Sequence, residues 1–389
     1  MNTKPKVIII GAGFTGCALA YDLTLRGCEV IVLERGDIAN GTSGRTHGLL
    51  HSGGRYCVSD QEAASECIQE NILLRKISKQ CIEFNGGLFI AMDESDMAYS
   101  EHFASGAEKC GIPIERLSKE QIIKLEPNIT PEVIFGYSIP DGSFDPLRLA
   151  MGFAASAVVH HAQFFTYHEV VGFVINGTAK LSAVEVINRH SGEKQVFECD
   201  LCINATGAWA GKVSEMAGIT VPVLPTPGVM VSYGQRVTQR VINRLCKPDD
   251  GDIIIPQRRM SVIGTTSFEV ENADYIPIEK EQVEKMNQRA AKLVPLLKNV
   301  PTRGVYMSAR PLIGGSSSGR SLSRTFKCYD HKESDGFEGF VTITGGKATT
   351  CRVMAEKTAD LVCKKLGVSA KCETQERVLA DYHEYYPFN

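Results

Sequence analysis

The sequence holds a single tryptophan, no marked excess of either charge and no long apolar run, and each shortage excludes something. Lys plus Arg number 42 against 45 for Asp plus Glu, a formal charge of −3. So weak a net field does not draw a chain to nucleic acid, and any anionic ligand needs a local cluster of cations. The longest apolar stretch, residues 149–159, is well short of the ~20 residues that cross a bilayer. Residues 7–10 follow Lys4 and Lys6 but stop at Gly11, too short for the core of a secretory signal. Membrane contact is therefore expected only at the periphery, on the inner face. Internal repeats and low-complexity tracts are absent, and hydrophobic residues at 43% exclude a disordered chain. The 13 cysteines are odd in number and scattered, without the paired CxxC array of a metal or cluster site. The one CxxC, Cys199 to Cys202, falls in a strand-like run at 199–204 and reads as structural. Reduced, buried thiols in a cytoplasmic protein are the expectation.

What is present begins at once. Residues 6–10 are a β-branched run, as in a buried parallel strand. Gly11-Ala12-Gly13-Phe14-Thr15-Gly16 follows, then an amphipathic stretch at 17–26, and a second strand-like run at 29–33 ending in Glu34. The glycines permit a tight turn, close approach to a pyrophosphate and close packing of helix on strand, while the helix N-terminus offers free N–H groups to anions. Glu34 is placed to accept the hydroxyls of an unphosphorylated ribose, favouring FAD or NAD over NADP.

Residues 41–56 add a small, polar, glycine-rich segment with no place in a plain NAD-binding unit. Thr42 and Ser43 can donate to a second phosphate, and the glycines let backbone pass against a flat ring. A second glycine turn, Ala205-Thr206-Gly207, follows the run at 199–204. A third, Gly345-Gly346-Lys347, separates a strand at 340–344 from a helix that runs through Leu366.

With these segments in place, the chain resembles the FAD-dependent glycerol-3-phosphate dehydrogenases of the D-amino-acid-oxidase-like flavoproteins, most of all the catalytic A subunits of the anaerobic branch. The matching stretches include GAGFTG, HSGGRY, EPNITP, PDGSFDPLRL, IGTTS, SARPL, GRSLSR and TGGKATT, from residue 7 to about 370. The resemblance implies an α/β fold: a Rossmann-like FAD-binding domain interrupted by a substrate domain with a mostly antiparallel sheet. Residues 1–80, 145–215 and 328–370 are expected to form the first. Residues 81–144 and 216–327 would form the second, and 371–389 a polar tail. Within the second, strands are expected at 87–92, 229–233, 252–256 and 262–266, and helices at 97–110 and 280–297. The chain departs from the family in two ways. It is expected to lack the cysteine-rich iron–sulfur domain that follows in the anaerobic branch, and it has Pro227 and Val229 where relatives carry a lysine or a histidine.

The implied substrate is a three-carbon polyol phosphate, oxidised as sn-glycerol 3-phosphate to dihydroxyacetone phosphate. Its dianion suits arginine forks. Arg55, Tyr56, Arg310, Arg324 and Lys347 match the family motifs as substrate residues, while Arg320 and Arg45 are left out of the phosphate set. His51 is the expected base, since an imidazole of pKa ~6.5 suits proton abstraction at neutral pH. Lys347 and Arg310 would assist it. The cofactor set is Gly11, Gly13, Phe14, Thr15, Gly16, Glu34, Arg35, Thr42, Ser43, Arg45, His47, Gly48, Leu49, Val170, Ala205, Thr206, Gly207, Gly345, Gly346, Lys347 and Thr349. Cys351 stands where relatives often have tyrosine, and a packed thiol with non-covalent FAD is expected. Electrons would pass to partner subunits or a quinone-linked chain. The alternatives are an oxidase making peroxide, oxidation of another polyol phosphate, 2-hydroxy acid or amino acid, and a flavin-bearing assembly subunit of weak activity.

Overall fold

The computed structural model describes residues 4–177, 179–314 and 324–386. Strand β1 (Lys6–Ile10) is buried on both sides: Val7 and Ile9 enter one apolar cluster, Ile8 and Ile10 another. That is what a central parallel strand requires. It pairs in parallel with β2 (Glu29–Leu33) on one side and with Leu201–Asn204 on the other. Gln163–Phe165 and Phe340–Gly345 extend the sheet in parallel, and Phe326–Asp330 closes one edge antiparallel. Helix α1 (Phe14–Leu25) lies against Pro146–Val159 and Cys351–Leu366 on one face. A three-stranded antiparallel sheet, His168–Asn176, Lys180–Asn188 and Lys194–Glu198, covers the other.

A second, eight-stranded sheet is antiparallel throughout except for one pair, Val241–Arg244 with Gly87–Ala91. Its apolar residues meet Met286, Ala290 and Leu293 of the helix Lys280–Leu293 on one side. The pairing of Val223–Tyr233 with Thr302–Ile313 is its longest, and its end reaches back to the first sheet.

Several expectations shift. The helix expected over 280–297 stops at Leu293, because Pro295 cannot continue it and holds Val294 extended; a short 3-10 turn, Pro295–Asn299, follows. The strand expected from 229 begins at Val223, and the one expected from 199 at Leu201. The polar tail is docked: Leu379 is 3% exposed in the α1 core and its N–H donates to Ile77 O at 2.8 Å. All thirteen cysteines are free thiols. Burial pushes Cys199 up to about 12 and holds Cys202 well above its ordinary 9.0, as in inert, packed thiols. Among the described residues no helix is long and apolar enough to cross a membrane, and no cluster of His, Cys, Asp and Glu could hold a metal ion.

Candidate functional site

One cavity of ≈ 1010 Å3 opens where the C-terminal ends of the parallel strands meet the eight-stranded sheet. Such a crevice is where open α/β sheets bind ligands. The three glycine turns build one side of it. Gly11 sits at φ +100°, and a Cβ there would lie 3.0 Å from Ala205 O, so the first turn can rest on the second only as glycine. Gly13 faces Ser43, whose Oγ accepts the Phe14 N–H at 3.0 Å. Glu34 closes the turn: its carboxylate accepts from Ala12 N and Gly36 N, both at 2.8 Å. The N-terminus of α1 thus points into the cavity beside the Glu34 carboxylate.

These residues fit a dinucleotide. Gly11, Gly13, Phe14, Thr15, Glu34, Arg35, Thr42, Ser43, Arg45, His47, Leu49, Val170, Ala205, Thr206, Gly207, Gly345, Gly346 and Lys347 all line the one cavity. Three expected cofactor residues are off its wall. A Cβ on Gly16 would lie 1.8 Å from Gly11 O, so its glycine serves helix-on-strand packing. Gly48, at φ +78°, makes room for the Gln257 amide, which donates to His47 O, Gly48 O and Phe144 O. Thr349 is fully buried, and its Oγ1 accepts the His51 N–H at 3.1 Å. Thr42 is on the wall, yet its hydroxyl donates to Ala309 O at 2.6 Å, tying this loop to the strand Thr302–Ile313.

The substrate-side residues converge on the same space. His51, Arg55, Tyr56, Arg310, Arg324 and Lys347 all line it. The backbone around His51 is clamped. Asn71 Nδ2 donates to His51 O at 3.1 Å and to Pro140 O at 3.0 Å, and Asp141 Oδ1 accepts from Ser52 N and Oγ at 2.8 and 2.7 Å. Burial, followed by the charges of His47, Arg55, Lys347 and Arg324, holds the His51 imidazole well below its ordinary 6.5. The ring is therefore held neutral, with its nitrogens uncharged. His47 is lowered to about 3, mainly by burial, and its Nδ1 accepts the Leu49 N–H at 3.2 Å. Lys347 Nζ donates to Arg324 O at 2.6 Å and lies 5.0 Å from the Tyr56 ring centre, which is 5.3 Å from that of His51.

The arginines are not equivalent. Arg310 donates to the carbonyls of Thr226, Pro227 and Thr266 and to the hydroxyls of Thr265 and Ser267, which fixes its fork on neutral acceptors. Arg55 is buried against Asp252, its Nη2 donating to both carboxylate oxygens at 2.9 and 2.8 Å. That ion pair cancels the charge expected to meet a phosphate and makes Arg55 a rigid part of the wall. Arg324 N donates to Asp60 Oδ2 at 2.8 Å. Arg320 and most of GRSLSR lie outside the described residues. Sequence reasoning missed Asp60, Asp252 and Asp274. Only Asp252 had a local signal, the acidic run at 249–252. Cys351 is 1% exposed and, like every other cysteine, is off the cavity wall.

Comparison with known proteins agrees with this geometry. The FAD dependent oxidoreductase family (DAO) matches residues 6–361. The A1 subunit of the anaerobic glycerol-3-phosphate dehydrogenase of Haloferax volcanii is 40% identical over 99% of this chain and 68% of its own length. The A subunit of the anaerobic enzyme of Escherichia coli K12 is 40% identical over 98% of this chain and 71% of its own. Among solved structures, L-proline dehydrogenase from P. horikoshii superposes with a TM-score of 0.77 at 20% identity, covering 96% of each chain. L-alpha-glycerophosphate oxidase from Mycoplasma pneumoniae with FAD bound gives 0.76 at 19% identity, over 100% of each. These two share the fold.

Proposed function

The chain belongs to the FAD-dependent oxidoreductases of the DAO family, beside the anaerobic glycerol-3-phosphate dehydrogenase A subunits, and on that premise we propose that it oxidises sn-glycerol 3-phosphate to dihydroxyacetone phosphate. The observation that carries this reading is the convergence of a neutral histidine with Arg310, Arg324 and Lys347 in one cavity of a chain with net charge −3. FAD, when bound, supplies the hydride acceptor. The turn Gly11–Gly13 and the α1 N-terminus would hold its pyrophosphate, Glu34 its ribose, and the turns at 205–207 and 345–346 its remainder. The absence of cysteine from the wall supports non-covalent attachment. Acid precipitation should then free the yellow flavin into the supernatant.

His51 takes the proton of the C2 hydroxyl as the hydride leaves, held in place from its backbone by Thr349 and Asn71. Lys347 steadies negative charge developing beside it. Arg310 and Arg324 bind the phosphate. Electrons leave to a partner chain rather than to oxygen, a reading supported by the relatives' designation as A subunits. An anaerobic titration of the flavin-loaded protein with a panel of polyol phosphates, 2-hydroxy acids and amino acids is the test. Bleaching of the flavin absorbance by glycerol 3-phosphate at the lowest concentration is expected; preferential bleaching by an amino acid or a 2-hydroxy acid overturns the assignment. Stoichiometric peroxide in air would redirect the electron outlet to oxygen.

A further inference from the structure

Of the carboxylates on the cavity wall, Asp274 is the one that joins the two sheets at the dinucleotide's adenosine end. It lies on the segment that leaves the strand Met260–Gly264 of the eight-stranded sheet. That segment first runs back along the strand Val223–Tyr233, with Phe268 N donating to Pro227 O at 3.3 Å and Val270 N to Pro225 O at 3.2 Å. It then reaches the other sheet. Asp274 Oδ1 accepts from Arg35 Nη2 at 2.8 Å and from Trp209 Nε1 at 2.7 Å, and Oδ2 lies 3.4 Å from Lys212 Nζ.

The partners stand on two of the segments that line the cofactor cavity. Arg35 directly follows Glu34 at the end of β2, where the adenosine ribose is held. Trp209 follows the Ala205–Gly207 turn, and Lys212 is on the next helix, Ala210–Glu215. The Arg35 guanidinium stacks 4.4 Å from the indole centre, and the indole also packs on Gly41, where a Cβ would lie 3.2 Å from its ring. All four side chains line the cavity. The arrangement is one carboxylate, three donors and one stacked ring, bridging the two sheets across the cavity wall.

We propose that Asp274 is a clasp that retains the bound dinucleotide, so that FAD leaves only when the Asp274 contacts to Arg35, Trp209 and Lys212 open. The inference rests on the FAD site described above and adds residues that neither the glycine motifs nor the substrate motifs mark. Retention by such a clasp is kinetic: it slows release and leaves the pyrophosphate and ribose contacts as they are. The test is the rate at which FAD fluorescence appears after dilution of the yellow holoprotein into flavin-free buffer. Loss of a charge-assisted bond of this kind is expected to speed release about tenfold in Asp274→Ala. Asp274→Asn keeps an acceptor for Trp209 but not the charge facing Arg35 and Lys212, so its rate should fall between. Trp209→Phe keeps the stack and removes the indole bond, and should also release faster than wild type. Wild-type release rates in Asp274→Asn and Trp209→Phe overturn the clasp even if the alanine variant fails to fold. A wild-type protein that purifies colourless and takes up no FAD overturns the cofactor site itself, a distinct result.

Discussion

His51 illustrates how a residue's surroundings set its chemistry. A base must be unprotonated to act, and burial, followed by the neighbouring His47 and the cations Arg55, Lys347 and Arg324, keeps this imidazole neutral. The acid limb of flavin reduction is therefore expected well below pH 6.5, the ordinary histidine value. The sign of a perturbation follows. Lys347→Met removes a positive charge that opposes protonation, so the His51 pKa rises and the acid limb moves to higher pH. His51→Asn keeps polarity but no basic nitrogen, and should slow reduction by about 10²–10⁴-fold, the usual worth of a positioned base. Anaerobic stopped-flow reduction across pH reads both. An acid limb that stays put in Lys347→Met, or near-normal reduction in His51→Asn, would remove His51 from this role. Arg55 carries the complementary lesson. Its motif marked a phosphate ligand, but Asp252 meets it with both carboxylate oxygens, so a phosphate is left to other cations of the wall, Arg310, Arg324 and Lys347 among them.

At the scale of elements, the strand–turn–helix of β1 and α1 depends on how closely backbone approaches backbone. The Gly16 Cα faces Gly11 O so closely that an added methyl would sit 1.8 Å from it. Gly16→Ala must push α1 off the turn, and a strain of this kind costs about 3 kcal/mol. A lower thermal midpoint and poor flavin content are expected. Gly177→Ala, where nothing lies within 4 Å of the added carbon, should leave both near wild type. A midpoint for Gly16→Ala equal to that of Gly177→Ala would contradict the packing argument. The first element group was legible because its signal is contiguous, with β-branched run, glycine turn, helical run and acidic residue all between Lys6 and Glu34, although α1 is buried on nearly every side rather than amphipathic. So were the turns at 205–207 and 345–347, each following a recognisable strand. Contacts between distant segments were not legible. Nothing local marks Asp274 as the partner of Arg35 and Trp209, or Thr349 as the support of the His51 backbone rather than a cofactor ligand. The tail at 371–389 read as polar because the residues that dock it, Leu379 with Thr374, Tyr382 and Tyr385, are spaced among polar ones and meet a groove made by other segments.

For the whole molecule, the decisive quantity is the contrast between a net charge of −3 and a cavity that gathers Arg310, Arg324 and Lys347. Long-range steering of a dianion is weak under that net charge, so discrimination must come from short contacts inside the cavity. Two or three charge-assisted hydrogen bonds of roughly 1.5–3 kcal/mol each imply that glycerol, which lacks the phosphate, loses at least about a hundredfold in kcat/KM. The same contacts predict that inorganic phosphate competes with glycerol 3-phosphate, raising half-saturation while leaving the saturated rate unchanged. Arg310→Ala and Arg324→Ala should mimic saturating competitor, raising half-saturation far more than they slow the bound complex, because what they remove is equal in ground and transition states. Steady-state reduction of a dye acceptor with each substrate, with and without phosphate, measures all three. If glycerol is oxidised within about tenfold of its phosphate ester, the gathered cations serve the cofactor alone, since even one such hydrogen bond is worth about that factor.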